Sequence, residues 1–381
     1  MIRYGIDDIE RAKDIWRENF TDSEEEIDFY FKTIYRDKNF LMLEEDGEIK
    51  ASLHENPYDI CFNRNILPSF YIVGVAVSPE YRGKGYMKKL LNHSLKNALS
   101  NNRDIVFLSP INTEIYSNFG FGYISGLEHY ELKLEDIPFN SINRDIEIKK
   151  ASENDFSNMI DLYNKKMENN NIYLKRDHSY LTRIKGEIEN ENGKIYVFYR
   201  EKRITGYLIC YFREEEIFVR EFFYSDIESA KTMLVFIKTF KEYYPNLKVA
   251  TPQGSNFNFL FPNQLKVEKK ENPFILARII NVKNILSYLD IKGINFNVKV
   301  RDNIIDKNNG VFSIEDGSVK KLDNIDWWNI YIDIRDLATL VSGYMSIDEL
   351  LELEKVRINN VDLKTLNNIF KKQKNYIQEF Q

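Results

Sequence analysis

Apolar positions in the first 140 residues alternate between a helical and a strand-like spacing. Ile9, Ala12 and Trp16 recur every three or four residues, and Ile27, Phe31 and Ile34 do the same; both sets predict amphipathic helices. Two short apolar runs, 40–43 and 49–53, flank a polar turn that contains Gly47. This arrangement predicts a β-hairpin.

The stretch that follows reads as a buried strand, a short loop and a helix. Phe70–Val77 is almost continuously apolar, which is typical of a central strand covered on both faces. One face of the next predicted helix carries Met87, Leu90, Leu91, Leu95 and Ala98. A further strand is predicted over 104–108. The alternation of strands and helices indicates a mixed α/β (α+β) domain.

The pattern of the first 140 residues returns in the segment that follows, at a nearly constant offset in residue number. A second hairpin is predicted from 195–200 and 206–212, followed by a strand at 217–224. The segment 225–230 that comes next has no glycine. The second segment is therefore either a degenerate copy of the first or an unrelated α/β segment. The paired positions are Ile2 and Ile148, Asp8 and Asp155, Ala12 and Met159, and Trp16 and Tyr163.

The last hundred residues have a different pattern of predicted strands and helices. Strands are expected at Phe296–Val300 and Gly310–Ile314, and short helices near 337–340, 347–353 and 366–370. A chain of 381 residues is too long to fold around a single hydrophobic core of ordinary size. We therefore expect three domains, over residues 1–143, 144–281 and 282–381.

Composition narrows the functional class. The net charge of −6 disfavours nucleic-acid binding, which needs concentrated positive charge, and fits a small cationic substrate. No apolar run approaches the ~20 residues of a membrane-spanning helix, and the first residues do not resemble a secretory signal. Cys61 and Cys210 form no CxxC pair, so we expect a cytoplasmic protein without disulfide bonds or a metal site.

The most informative motif is Arg82-Gly83-Lys84-Gly85, between the predicted buried strand and the predicted helix. Glycines allow a tight turn and close approach of a ligand to the backbone. The first turn of a helix offers unpaired N–H groups and partial positive charge. With Arg82, Lys84 and Lys88 nearby, these features predict a pyrophosphate site. The GxGxxG and GxxxxGK[ST] fingerprints are absent.

The run Val75-Ala76-Val77-Ser78-Pro79, together with the glycine turn, resembles the coenzyme A motif of GNAT-type N-acetyltransferases. That resemblance implies acetyl-CoA as co-substrate and no metal. The residues that it implies for cofactor binding are Val75, Ala76, Val77, Arg82, Gly83, Lys84, Gly85, Tyr86, Met87, Lys88, Ile111 and Asn112.

A second resemblance is more specific. Ile115-Tyr116-Ser117-Asn118-Phe119-Gly120-Phe121-Gly122 and Asn19-Phe20-Thr21-Asp22 resemble motifs of the Eis (enhanced intracellular survival) acetyltransferases. That family implies two tandem GNAT-like domains, the second degenerate, and a C-terminal sterol-carrier-protein-like α/β domain. It also implies a homohexamer that acetylates cationic amines, with aminoglycosides the leading class and lysine side chains or polyamines next.

The same resemblance assigns the catalytic groups. Tyr116 is the expected general acid, since a phenol with a pKa near 10 is protonated at neutral pH and can protonate a leaving thiolate. The terminal carboxylate, here that of Gln381, is the expected general base. Asp22 is expected to bind the amine, whereas Glu24–Glu26 is either part of an acidic cleft or a solvated helix face. None of the four histidines lies in a recognisable motif.

Two other functions remain open from the sequence. The chain could be a non-catalytic sensor that binds coenzyme A, or a lipid-binding protein that uses its C-terminal domain.

Overall fold

The computed structural model describes residues 1–291, 293–323 and 325–379. These residues form two compact units. The first contains Met1–Ser125, Asn170–Lys175 and Phe274–Gln381, and the second contains Gly126–Asn169 and Arg176–Pro273. None of the helices in these ranges is long and apolar enough to cross a membrane.

The N-terminal part of the first unit is a mixed sheet covered by helices. Its elements are β1 (Ile2–Tyr4), α1 (Ile9–Arg17), α2 (Glu24–Thr33), β2 (Phe40–Glu45), β3 (Glu48–Phe62), β4 (Asn65–Val77), α3 (Tyr86–Ser100), β5 (Ile105–Leu108) and α4 (Thr113–Ser117). Strands β1 to β4 are antiparallel neighbours in chain order, and β5 joins β4 in parallel. Leu90, Leu91 and Leu95 of α3 are buried, as the helical spacing predicts.

The predicted hairpin is confirmed, but its second strand is longer than the sequence indicated. We predicted a strand that ends at Leu53, whereas β3 continues to Phe62. The continuation begins with polar residues that are nevertheless buried. Glu55 accepts a hydrogen bond from Tyr4 at 2.9 Å, and Asn56 is bonded to Tyr30. Alternation of apolar and polar residues cannot reveal a strand whose inward positions are polar.

The chain then runs through the second unit and returns. The elements along this part of the chain are β6 (Gly122–Lys133), β7 (Glu147–Lys150), α5 (Phe156–Met167), β8 (Ile172–Leu174), α6 (His178–Asn190), β9 (Gly193–Arg200), β10 (Arg203–Phe212), β11 (Glu216–Tyr224), α7 (Ile227–Lys238), β12 (Asn246–Pro252) and β13 (Glu268–Ile279). Of these, β8, the start of β6 and the end of β13 belong to the first unit. Within the second unit, β7, β9, β10 and β11 are antiparallel neighbours, and β12 pairs in parallel with β11.

The C-terminal part of the first unit has its own sheet. Its elements are α8 (Val282–Ser287), β14 (Asn295–Arg301), β15 (Gly310–Glu315), β16 (Ser318–Leu322), β17 (Ile330–Asp333), α9 (Ile334–Val341), α10 (Ile347–Glu352), β18 (Val356–Ile358), α11 (Leu363–Ile369) and β19 (Asn375–Tyr376). The strand order is β16-β15-β14-β17-β18. The predicted strands at 296–300 and 310–314 are adjacent and antiparallel in this sheet.

Candidate active site

Strands β4 and β5 of the first unit pair only briefly, and we call the space beside β4 beyond this pairing the candidate cleft. Their parallel pairing within the described residues is limited to Tyr71 opposite Phe107. The other edge of β4 continues to pair with β3 as far as Val77 opposite Ala51. Along 72–77, the edge of β4 that faces the cleft therefore has backbone polar groups without a strand partner. An extended ligand can pair with such an edge.

A bulge in β4 lies beside this edge. Val73 faces His54 and Ala76 faces Ser52, so two residues of β4 oppose the single residue Leu53. Gly74 has φ +61°, and a Cβ atom there would lie 2.7 Å from the Trp16 ring. Only glycine fits this position. Val75, Ala76 and Val77, which the sequence assigned to the cofactor, follow directly after it.

His54, on the opposite side of the bulge, is enclosed by aromatic rings. Its side chain is 2% exposed, and the burial lowers its pKa to about 3. His54 is therefore neutral and lies in a core. Five rings have their centroids 4.9–5.8 Å from that of the imidazole: Trp16, Tyr30, Phe31, Tyr35 and Phe40.

The glycine turn after β4 has the conformation that a pyrophosphate cradle needs. Gly83 and Gly85 have φ +74° and +78°. On the side where a Cβ would stand, no atom of the described chain lies within 4 Å of either. Gly85 caps α3 without a side chain. Among the described residues, the N–H groups of 86–88 donate to no acceptor outside their helix. Free N–H groups, open space and the helix dipole fit a pyrophosphate.

The cationic side chains of this turn are exposed to solvent. Arg82, Lys84 and Lys88 are all exposed. The Arg82 guanidinium donates to Asn19 Oδ1 at 3.0 Å, which ties the turn to the end of α1. Tyr86, in contrast, donates its hydroxyl to Glu45 at 2.7 Å. Its side chain therefore anchors the start of α3 to β2, and only its backbone N–H remains available to a ligand.

The second unit has the same strand-and-helix order, but its helix N-terminus is occupied. Asp226 caps α7, and its carboxylate accepts from the Ser229 N–H at 2.9 Å. Arg200 lies 3.5 Å from the same carboxylate. A side-chain anion thus already satisfies the groups that a phosphate would use. The absence of glycine after β11 corresponds to a closed phosphate site.

Tyr116 lies at the end of the short helix α4. Asn112 caps this helix by accepting from the Glu114 N–H at 2.9 Å, whereas Ile111 is 77% exposed. The Tyr116 ring is buried, which raises the pKa of its hydroxyl to about 12. Within the part of the chain that the structure describes, this hydroxyl has no hydrogen-bond partner.

Tyr71 connects β4 to the C-terminal segment, residues 375–379. The pKa of Tyr71 is raised, first by burial and then by the negative charge of Glu379, with Tyr116 also contributing. The Tyr71 hydroxyl lies 3.4 Å from the main-chain oxygen of Glu379. Glu379 is the last described residue; Gln381, the expected base, lies outside the described residues. Sequence reasoning missed Tyr71, because nothing local links it to a residue 308 positions away.

Asp22 is exposed and is oriented by a tryptophan. The Trp16 indole N–H donates to Asp22 Oδ2 at 2.6 Å. Of the acidic run that follows, Glu26 forms a capping box with Ser23, and Glu24 pairs with Arg17 at 2.9 Å. These two carboxylates stabilise the start of α2, so this part of the run is a helix terminus.

Comparisons with known protein families agree with this architecture. Residues 2–124 match the family described as an acetyltransferase (GNAT) domain, and residues 173–279 match a second family of the same description. Residues 282–378 match a sterol carrier protein domain. The protein is a GNAT-type acyltransferase. Enzymes of this type in general use acetyl-CoA and act on amines.

Solved structures show the same fold over almost the whole chain of this GNAT acyltransferase. A GCN5-related N-acetyltransferase from Anabaena variabilis is 18% identical, with a TM-score of 0.84 and 98% of each chain covered. Eis1 from Mycobacterium abscessus is 14% identical, with a TM-score of 0.80, 100% of this chain and 99% of that chain covered. A GCN5-related N-acetyltransferase from Kribbella flavida is 16% identical, with a TM-score of 0.82, 100% and 98% covered. No curated protein matches the sequence.

The predicted fold class is thus confirmed: two tandem GNAT domains precede a sterol-carrier-like domain in one GNAT acyltransferase. The closed N-terminus of α7 gives a structural reason to regard the second domain as degenerate. The alternative of two unrelated α/β segments is wrong, because both match GNAT domains.

Proposed function

We propose that this enzyme is an Eis-like N-acetyltransferase that transfers the acetyl group of acetyl-CoA directly to an amine of a cationic substrate. Aminoglycosides are the leading class, with lysine side chains and polyamines next. The observation that carries the proposal is the contact of the Tyr71 hydroxyl with the main-chain oxygen of Glu379, at the residue of β4 that faces β5. We assign the general acid, Tyr116, and the end of the tail to this one cleft.

Acetyl-CoA is the donor, and the turn and the cleft edge would bind it. The backbone of Val75–Val77 would pair with the extended pantetheine arm, and the turn Arg82–Lys88 would hold the pyrophosphate. We also assign Ile111 and Asn112, which precede α4, to this site. The unpaired edge of β4 and the open left-handed glycines support these assignments.

Two proton transfers accompany the reaction. The amine nitrogen forms a bond to the acetyl carbon and loses a proton, while the bond from that carbon to sulfur breaks and the thiolate gains a proton. Tyr116 would supply the proton to sulfur, and its pKa of about 12 keeps it protonated at neutral pH. Because burial causes this shift, the phenol is also shielded from competing water.

The carboxylate of Gln381 would accept the amine proton. A carboxylate is ionised at neutral pH. The main chain of Glu379, the last described residue, contacts Tyr71, which supports a role for the chain end at this site. The buried side chains of Tyr376, Ile377 and Gln378 support a tail that is held inside the protein.

Asp22 is our candidate for binding the cationic amine. Its carboxylate is exposed, and its hydrogen bond to the Trp16 indole restricts its orientation. Carboxylates at a cleft attract amines through charge, and the net charge of −6 acts in the same direction.

The cavity in the first unit gives no support to lipid carriage. It has a volume of about 470 Å³ and lies between the 117–120 loop and the C-terminal sheet. Arg301, Asp333, Arg335 and Arg357 line it. A lipid chain requires an apolar lining, because burying charged groups without partners is costly.

We further propose the domain limits 1–143, 144–281 and 282–381, and a homo-oligomer, by resemblance a hexamer. We place the enzyme in the cytoplasm. Its two buried cysteines are both free thiols, which fits a reducing compartment.

A thiol-release assay over a panel of amines tests the proposed function. We expect free coenzyme A to appear with an aminoglycoside, a polyamine or a lysine peptide, and not without an amine. Gly85→Asp is the matched inactive control. Acetyl-CoA binding without thiol release for any amine would instead show a coenzyme A sensor. Activity restricted to peptide N-termini would identify a different class of substrate.

A further inference from the structure

The C-terminal segment runs through the interior of the first unit. Asn375 and Tyr376 pair in parallel with β8, opposite Ile172 and Tyr173. The Asn375 carboxamide donates to the carbonyl oxygens of Ile124 (2.8 Å) and Ser342 (3.0 Å), and it accepts from the Ile172 N–H at 3.0 Å. This one buried side chain therefore connects the segment to three separate parts of the chain.

Beyond Asn375, Glu379 contacts two tyrosines. Its side chain is about 1% exposed, and its carboxylate accepts a hydrogen bond from the Tyr58 hydroxyl at 2.7 Å. The contact from Tyr71 to the main-chain oxygen is longer, at 3.4 Å. Hydrogen bonds to a carboxylate are stronger than neutral ones, so the bond from Tyr58 is the stronger of these two.

Tyr58 is held rigidly enough to act as a fixed donor. It lies on β3, and its ring packs edge-on against those of Tyr71 and Phe107, with centroids 6.1 and 5.8 Å away. Tyr71 and Phe107 are the facing residues of β4 and β5. Tyr58, the donor to Glu379, thus packs against the two aromatic residues at which β4 and β5 pair.

We propose that the hydrogen bond from Tyr58 to Glu379 is a latch that holds the C-terminal segment in the cleft. Tyr58 is then a positioning residue for the terminal carboxylate. This inference rests on the proposed function, in which that carboxylate is the base. In this role Tyr58 acts on the terminal carboxylate through Glu379. Without the bond, a buried carboxylate loses a donor and the tail can leave the cleft.

Tyr58→Phe is the direct test, because it keeps the ring and removes only the hydroxyl. We expect kcat to fall by roughly 10- to 100-fold, as a misplaced catalytic group typically costs. The KM for acetyl-CoA should stay unchanged, since the turn at 82–88 is untouched. Tyr4→Phe is the matched control: Tyr4 also donates to a buried glutamate, Glu55, at 2.9 Å, but not to the tail. It should leave kcat at the wild-type level.

Substitution of the acceptor tests the same bond from its other end. Glu379→Gln keeps an oxygen that can accept from Tyr58, and we expect it to retain most activity. Glu379→Leu cannot accept, and it should match Tyr58→Phe. If the latch is correct, the double variant Tyr58→Phe/Glu379→Leu is no slower than either single variant. Loss of activity in Glu379→Gln alone, with Tyr58→Phe fully active, would overturn the latch.

Hydrogen exchange of the tail separates failure of the latch from failure of the proposed function. We expect the backbone amides of 376–379 to exchange at least about tenfold faster in Tyr58→Phe, and at the wild-type rate in Tyr4→Phe. Wild-type exchange and wild-type kcat in Tyr58→Phe would overturn the latch. Faster exchange with unchanged kcat would refute the positioning role. If an enzyme shortened at its C-terminus keeps full activity, the proposed base is wrong, and the exchange rates still decide whether the latch exists.

Discussion

Tyr71 on β4 lies opposite Phe107 on β5, and within the described residues the two strands pair only here. The same Tyr71 hydroxyl contacts the main-chain oxygen of Glu379. The C-terminal segment therefore reaches the point where β4 and β5 pair, and there we place the proposed acid, Tyr116. The glycine turn follows the other end of β4, after Val77. Because the two regions lie at opposite ends of β4, substitutions can impair the chemical step and cofactor binding separately.

Substitution of the proposed acid should affect the chemical step alone. We expect Tyr116→Phe to lower kcat by about 10²- to 10⁴-fold, with little change in acetyl-CoA affinity, because only a donated proton is lost. Steady-state kinetics and calorimetry would measure the two effects. Tyr35→Phe is a suitable control, since Tyr35 is buried in the same unit and donates instead to Asp37 at 2.8 Å. Equal losses in both variants would indicate a general packing defect.

The alkaline side of the pH profile follows from the pKa of Tyr116. Burial raises that pKa to about 12, and a general acid acts only while protonated. The acid is therefore present below this value and lost above it. We expect no decline in kcat caused by Tyr116 between pH 7 and about 11. A decline with a midpoint near 9, present in the wild type and absent in Tyr116→Phe, would contradict the shift.

Gly85→Asp should weaken acetyl-CoA binding through charge and conformation. The new carboxylate would occupy the N-terminus of α3, as Asp226 does at α7, and would exclude the pyrophosphate. Gly47→Asp is the control, because Gly47 has φ +79° with nothing within 4 Å but lies in a hairpin turn. Both variants should lose about 1–2 kcal/mol of stability. Only Gly85→Asp should lose binding heat in calorimetry; equal binding by both would refute the proposed cradle.

Changes to the chain end test the proposed base. Deletion of the last residues, or extension with a tag, removes or displaces the carboxylate. We expect turnover to fall by about 10²- to 10⁴-fold while acetyl-CoA binding persists, because the turn at 82–88 is unchanged. The side chain at position 381 should matter little, so Gln381→Ala is the control. If a tagged enzyme kept full activity, the proposed base would be wrong, and Glu379 or Asp22 would become the candidate base.

His54 should make the protein sensitive to acid. Its pKa in the folded state is lowered to about 3 by burial, whereas it is about 6.5 when the chain is unfolded. Between these values the unfolded state binds the extra proton, so stability is full above about pH 6.5 and falls as the pH drops. The loss should reach at most about 1.4 kcal/mol per pH unit. Denaturant unfolding at pH 7 and 5 would show this difference; His54→Leu should remove it, and the exposed His93→Gln should not.

The sequence determined the elements whose signals are local. The apolar run before Gly83, the basic glycine turn and the apolar face of α3 lie next to one another in the chain. Their succession as strand, turn and helix could therefore be predicted, and the structure has them as β4, the turn and α3. The lack of glycine in the segment from Ser225 was also visible in the sequence, but whether that segment was a degenerate copy or unrelated stayed open there.

Only the tertiary structure decided which distant groups meet. Tyr58 and Glu379 are 321 positions apart, and no spacing rule connects them. Sequence patterns indicate whether a residue tends to be buried and whether its own element is a helix or a strand. The distance between two side chains depends instead on how β3, β8 and the C-terminal segment pack, and thus on many contacts acting together. The same limit explains why part of β3 was not predicted. Glu55 and Asn56 are buried polar residues whose partners, Tyr4 and Tyr30, belong to other elements.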